Sequence, residues 1–142
     1  EETTMKRRLV AVCVFIMLAL VSCTSNAVQG PLPTTLHITR PAINGFPPFD
    51  RVSHDASALQ QLYRMAYTLP VPSAKVNCPM QDALVYHLVF LRGTTIVKEM
   101  TLQATGCQFL NFDQETRMTN PVFIRLFLHL AGIPSLVPPR TD

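Results

Sequence analysis

The chain has 142 residues, with twelve Lys and Arg against nine Asp and Glu, a formal charge of +3. This length suits one small domain. The absence of a basic stripe or acidic tail excludes the usual nucleic-acid binding pattern, and five glycines in all leave little material for a glycine-rich phosphate loop.

Chain order begins with the most specific signal. Lys6, Arg7 and Arg8 precede an apolar run from Leu9 to Val21, and Leu20-Val21-Ser22-Cys23 closes it. Thirteen apolar residues fall short of the roughly 17–25 that span a bilayer, but suit the core of an export signal. The preceding cations hold that end in the cytoplasm. This arrangement resembles a bacterial lipoprotein signal with its lipobox. The resemblance implies cleavage after Ser22, lipidation of Cys23, and anchoring at the outer face of the cell membrane, or of the outer membrane where the host has one. Residues 1–22 are therefore read as a signal peptide, with Glu1–Thr4, upstream of Met5, as foreign to the protein. Without Lys6, Arg7, Arg8, Glu1 and Glu2, the remaining chain carries nine basic and seven acidic residues, close to balance.

The four cysteines sort by position. Cys13 leaves with the signal, Cys23 takes the lipid, and Cys78 and Cys107 remain as an exported pair. Exported cysteines meet an oxidising compartment, so these two are expected to form a disulfide. A metal site is not supported, because no Cys-x-x-Cys or ligand-spaced His accompanies them.

Residues 23–34 read as a polar tether containing Pro31 and Pro33. Leu36–Thr39 is a short strand ended by Arg40-Pro41, expected at a sheet edge. Pro41 to Ser53 reads as irregular, with Phe46 and Phe49 turned inward. Asp55 is the N-cap of an amphipathic helix to Leu69, with Leu59, Leu62, Tyr63, Ala66 and Tyr67 on its apolar face and Pro70 as its stop. Pro72–Asp82 is a loop.

Three strands follow, at Leu84–Leu91, Thr95–Ala104 and Gln108–Phe112. A three-residue loop at Arg92-Gly93-Thr94 would set Leu84, Tyr86, Leu88 and Phe90 beside Ile96, Met100 and Leu102, the register that buries most carbon. Asn120, Pro121, Gly132 and Pro134 then delimit a C-terminal helix. Its body is apolar nearly all round, so Phe123, Phe127 and Leu130 are candidate interaction residues. The expected fold is α+β: a three- to four-stranded antiparallel meander, one amphipathic helix packed on it and a C-terminal helix. One domain spans 35–133, with a flexible tail at 134–142.

Residues that could carry chemistry do not form a recognised motif. His54 adjoins Asp55, but Asp55 serves as a cap; His87 is expected to meet Glu99 across strands. His37 and His129 lack ligand-spaced carboxylates, Asp113 and Glu115 fall in a loop, and no Gly-x-Ser-x-Gly, Ser-x-x-Lys or His-Glu-x-x-His occurs. No catalytic residue, metal or cofactor is therefore assigned. The segments Tyr63-Arg64-Met65-Ala66-Tyr67-Thr68-Leu69-Pro70, Asn77-Cys78-Pro79, Tyr86–Gly93 and Ala104-Thr105-Gly106-Cys107 resemble small exported lipoproteins of soil-type bacteria. That resemblance covers roughly Leu62–Cys107 and supports the Cys78–Cys107 bridge; it implies no activity.

The leading expectation is a membrane-anchored binding or interaction module of the cell envelope, not an enzyme, with an envelope protein as partner and no nucleic acid. Two alternatives stand beside it. One is a small exported hydrolase centred on His54 or His87. The other is a secreted inhibitor-like protein presenting the Pro41–Pro48 loop.

Overall fold

The computed structural model describes residues 30–78 and 84–139. The signal-like segment, Cys13, Cys23 and most of the expected tether lie outside the described residues, as do residues 140–142 of the tail. The strands are β1 (Thr35–Arg40), β2 (Phe49–Ser53), β3 (Val85–Arg92), β4 (Thr95–Gln103), β5 (Phe109–Phe112) and β6 (Glu115–Met118). Helix α1 spans Ala56–Thr68 between β2 and β3, and α2 spans Pro121–Ala131 after β6. The strands form one antiparallel sheet in the order β2-β1-β3-β4-β5-β6.

The class is mixed α+β, but the sheet has six strands rather than three or four. Two short strands account for the difference. β2 forms inside the segment expected to be irregular, because the chain reverses at Asn44-Gly45, where Ile43 and Phe46 bridge. Both turn residues have positive φ, 49° and 77°, as the tight primed hairpin turn requires. β2 therefore occupies the edge, and β1 is an inner strand between β2 and β3. β6 arises from a second tight turn at Asp113-Gln114, with φ of 49° and 65°.

In the β3–β4 hairpin Tyr86 and Leu88 share a face with Met100 and Leu102 as expected, but not through a three-residue loop. Arg92 lies opposite Thr95, so the loop has two residues, Gly93 and Thr94. Alone, that loop would place Leu88 opposite Glu99 and Tyr86 opposite Thr101. A bulge at Val97 shifts the ladder by one: Leu91 faces Ile96, Phe90 faces Lys98, Leu88 faces Met100 and Tyr86 faces Leu102. The apolar pairs are preserved below the bulge. Ile96, above it, is 55% exposed instead of sharing the buried face.

Both helices pack on one side of the sheet. Leu36 and Ile38 of β1, Tyr86, Leu88 and Phe90 of β3, Met100 and Leu102 of β4, and Leu110 of β5 are buried there. α1 contributes Leu59, Leu62, Tyr63 and Ala66. α2 contributes Phe123, Phe127, Leu130 and Ala131. The α1 cap forms as its sequence specifies: Ala58 donates its backbone N–H to Asp55 Oδ1 at 3.0 Å. At α2, Asn120 Oδ1 accepts from Phe123 N–H at 2.8 Å, and Gly132 closes the helix at φ 67°.

The ends of the domain are more firmly attached than their composition suggests. Leu32 packs on the core and Pro33 is buried, so the tether stops at about Pro31 rather than Thr34. Leu136, expected in a flexible tail, is buried, and its carbonyl accepts from the Tyr86 hydroxyl at 2.9 Å. The tail docks because this apolar side chain and carbonyl both find partners beneath β3.

Candidate functional site

Because both helices lie on one face, the opposite face of the sheet is uncovered among the described residues. Strand pleating aims alternate residues there, and the registers align them across strands. Asp50 lies opposite Thr39, Thr39 opposite His87, His87 opposite Thr101, Thr101 opposite Asn111, and Asn111 opposite Thr116. One polar row thus crosses all six strands. The neighbouring row, Val52, His37, Val89 and Glu99, alternates apolar and polar groups.

The two ends of the polar row are engaged internally. His37 Nε2 stands 2.9 Å from Asp50 Oδ1, a diagonal contact between β1 and β2. Thr116 donates its hydroxyl to Asn111 Oδ1 at 2.8 Å. Among the described residues, the side chains of Thr39, His87 and Thr101 make no hydrogen bond with one another or with a neighbour. They form the open centre of the row, able to donate and accept toward a ligand.

Two shallow concavities lie over this centre. One of about 520 Å³ is lined by Thr39, Arg40, Pro41, Pro48, Phe49, Asp50 and His87, with the prolines of the β1–β2 connection as one wall. The other, of about 210 Å³, lies over His87, Val89, Glu99, Thr101 and Asn111. The proline wall is fixed from below. Arg40, buried and facing the helices, donates from Nη2 to the Pro47 carbonyl at 2.7 Å and from Nη1 to the Tyr86 hydroxyl at 2.6 Å. Its guanidinium also lies over the Phe49 and Tyr86 rings, 5.8 and 5.0 Å from their centroids. Burial raises the Tyr86 pKa, and the Arg40 charge and hydrogen bond oppose that rise. Burial also raises the Tyr67 pKa, helped by its hydrogen bond to Tyr63.

The structure redistributes the residues singled out from sequence. Cys78 and Cys107 stand at disulfide distance, with Cα atoms 5.5 Å apart. Phe123, Phe127 and Leu130 are not an interaction surface: at 0%, 0% and 3% exposure they belong to the core. Their helix packs against α1 and β2, which buries these residues with Ala131 and leaves Val122 exposed. His87 faces Thr101 instead of Glu99, whose partner across the ladder is Val89.

Asp55 caps α1 and lies 3.5 Å from His129 Nε2, joining the helices, while His54 Nδ1 is 3.4 Å from the Thr35 hydroxyl. Asp113 pairs with Lys98, and Glu115 with Arg117. The His37–Asp50 pair escaped sequence reading because it exists only once β2 is recognised as a strand; the Asn44-Gly45 dipeptide was the available signal. Among the described residues, no group of three His, Cys, Asp or Glu could hold a metal ion. Compared with protein-family profiles, curated proteins and solved structures, the chain finds no match.

Proposed function

We propose that this chain is an exported, lipid-anchored binding module of the cell envelope, without catalysis, and that the uncovered sheet face is its recognition surface. The observation that carries this reading is the one-sided placement of the helices, which among the described residues leaves a six-strand face with an unpaired polar centre at Thr39, His87 and Thr101. The partner is an envelope protein whose polar groups meet that centre and whose apolar groups meet Val52, Val85 and Val89. The lipobox-like Leu20–Cys23 supports the anchor, and the cysteine pair at disulfide distance supports an oxidising compartment.

Two measurements test the two halves separately. Radiolabelled palmitate is expected to enter the full chain and not Cys23→Ala; equal labelling of both removes the lipid anchor. Affinity capture from detergent-solubilised envelope is expected to recover a stoichiometric partner that the double variant Thr39→Lys/Thr101→Lys loses. Capture unchanged by those lysines removes the sheet face from the proposal, and no stoichiometric partner removes the binding reading.

A further inference from the structure

The described chain begins at one pole of the sheet. Thr34 donates its backbone N–H to the Leu91 carbonyl at 2.8 Å, and Thr35 lies opposite Leu91. The Pro33 carbonyl accepts from the Gln60 side chain at 3.2 Å, and Leu32 packs on the core. From Leu32 onward the chain is therefore fastened to the body. Leu91 in turn faces Ile96, and Arg92 faces Thr95. The chain thus enters beside the tip of the β3–β4 hairpin. The Pro41–Pro48 connection and Cys107 lie at the opposite pole, roughly 26 Å away along the eight residues of β3.

Eight residues, Thr24 to Pro31, separate Cys23 from Leu32. Fully extended they reach at most about 29 Å, and as a flexible chain they span about 15 Å. A lipid on Cys23 therefore holds the entry pole near the bilayer. Turning the opposite pole to the membrane would require the tether to run back along nearly the whole domain at full stretch, an arrangement with almost no conformational freedom.

The hairpin tip has the chemistry of a surface that meets lipid. Ile96 is 55% exposed, placed outside the core by the Val97 bulge. At the next rung toward the turn, and on the other face of the hairpin, Arg92 is exposed and has no ion-pair partner among the described residues. The turn between them is open, with nothing within 4 Å of where a Gly93 side chain would begin. Lys98 and Asp113 neutralise one another nearby. A hairpin tip that carries an exposed aliphatic side chain on one face and a guanidinium on the other suits the bilayer interface when it enters end-on, since apolar groups enter the acyl boundary and cations meet phosphate.

We propose that the Arg92–Ile96 hairpin tip rests on the membrane surface, with Ile96 in the interfacial layer and Arg92 on lipid phosphate. This inference depends on the lipid-anchor reading. It sets the strands near the membrane normal and directs the proline-walled groove at Thr39, Pro48 and His87 away from the bilayer, toward a partner. The contact orients a domain that the lipid already holds; it is not itself the anchor.

The chain contains no tryptophan, so a single introduced indole reports its own surroundings. Ile96→Trp and Ala42→Trp, placed at opposite poles, are compared in the full lipidated chain reconstituted into phosphatidylcholine–phosphatidylglycerol vesicles. Lipids brominated near the glycerol end are expected to quench Ile96→Trp with a blue shift, and to leave Ala42→Trp unchanged. Adding Arg92→Glu is expected to reduce that quenching about twofold, because it repels the anionic headgroups. Equal quenching at both sites overturns the proposal, as does none at Ile96→Trp in protein that carries palmitate; the anchor then stands alone. Failure of palmitate to enter at Cys23 overturns the anchor and this orientation with it.

Discussion

Arg40 is a buried cation whose partners, among the described residues, are a hydroxyl, a carbonyl and two aromatic rings rather than a carboxylate. Its Nε has no hydrogen-bond partner. Tyr86 is the hinge of this arrangement, accepting from Arg40 and donating to the Leu136 carbonyl. Tyr86→Phe strands both, and is expected to destabilise by about 2–3 kcal/mol. Arg40→Met combined with Tyr86→Phe is expected to cost less than the sum of the two, since the second change removes the stranded charge; urea melts of the four proteins measure that coupling.

Asp55 gives the corresponding acid-side test. The hydrogen bond from the Ala58 backbone N–H holds its carboxyl below the ordinary aspartate range, and His129 adds to this. A depressed folded value means the cap contributes above the unfolded pKa and is lost as pH falls through the folded one. Asp55→Asn keeps the acceptor without the titration. Its denaturation midpoint is expected to fall less than that of the wild type between neutral and acidic solution.

At the scale of elements, turns and bulges decide the sheet. Gln114 holds a φ of 65° in the β5–β6 turn, a left-handed conformation that costs a side chain roughly 1–2 kcal/mol. Gln114→Gly relieves it at some cost in unfolded-chain entropy, for a net gain of about 0.5–1 kcal/mol in thermal or chemical melts. Gly93, at φ 61°, is the reverse case: Gly93→Ala has space for the methyl but not the backbone preference, and is expected to destabilise by about 1 kcal/mol. α2 shows why apolar girth misled. Its Phe127 touches the Tyr86 ring at 5.2 Å between centroids, within the core. Phe127→Ala is expected to cost about 3–5 kcal/mol in a urea melt, the penalty of a buried cavity rather than of a lost surface contact.

For the molecule as a whole, one face of the sheet is spent on the core and the other is left uncovered among the described residues. The Cys78–Cys107 link joins the chain between α1 and β3 to the entrance of β5, closing a loop over the β3–β4 hairpin with a sequence separation of 29. Closing a loop of that size stabilises by about 3–4 kcal/mol through the unfolded chain. Cys78→Ser/Cys107→Ser is therefore expected to lower stability by that amount while leaving the circular dichroism of the sheet unchanged, because no strand depends on the bond for its pairing.

Local chemistry alone determined much of this architecture. Asp55 and Asn120 as caps, Pro121 and Gly132 as helix limits, and the alternation of Leu84 to Phe90 are written in neighbouring residues, and they form as written. The proposed export signal likewise rests on a local pattern, from Lys6 to Cys23. Tertiary structure decided what depends on distant partners. β2 and β6 are too short to declare themselves, and exist because β1 and β5 offer them a ladder. The exposure of Ile96 follows from a one-residue bulge, and the burial of Phe123 and Phe127 from a sheet that periodicity could not show. The polar row from Asp50 to Thr116 takes one residue from each of six strands, so no stretch of sequence contains it; only the registers that align those strands bring it into being.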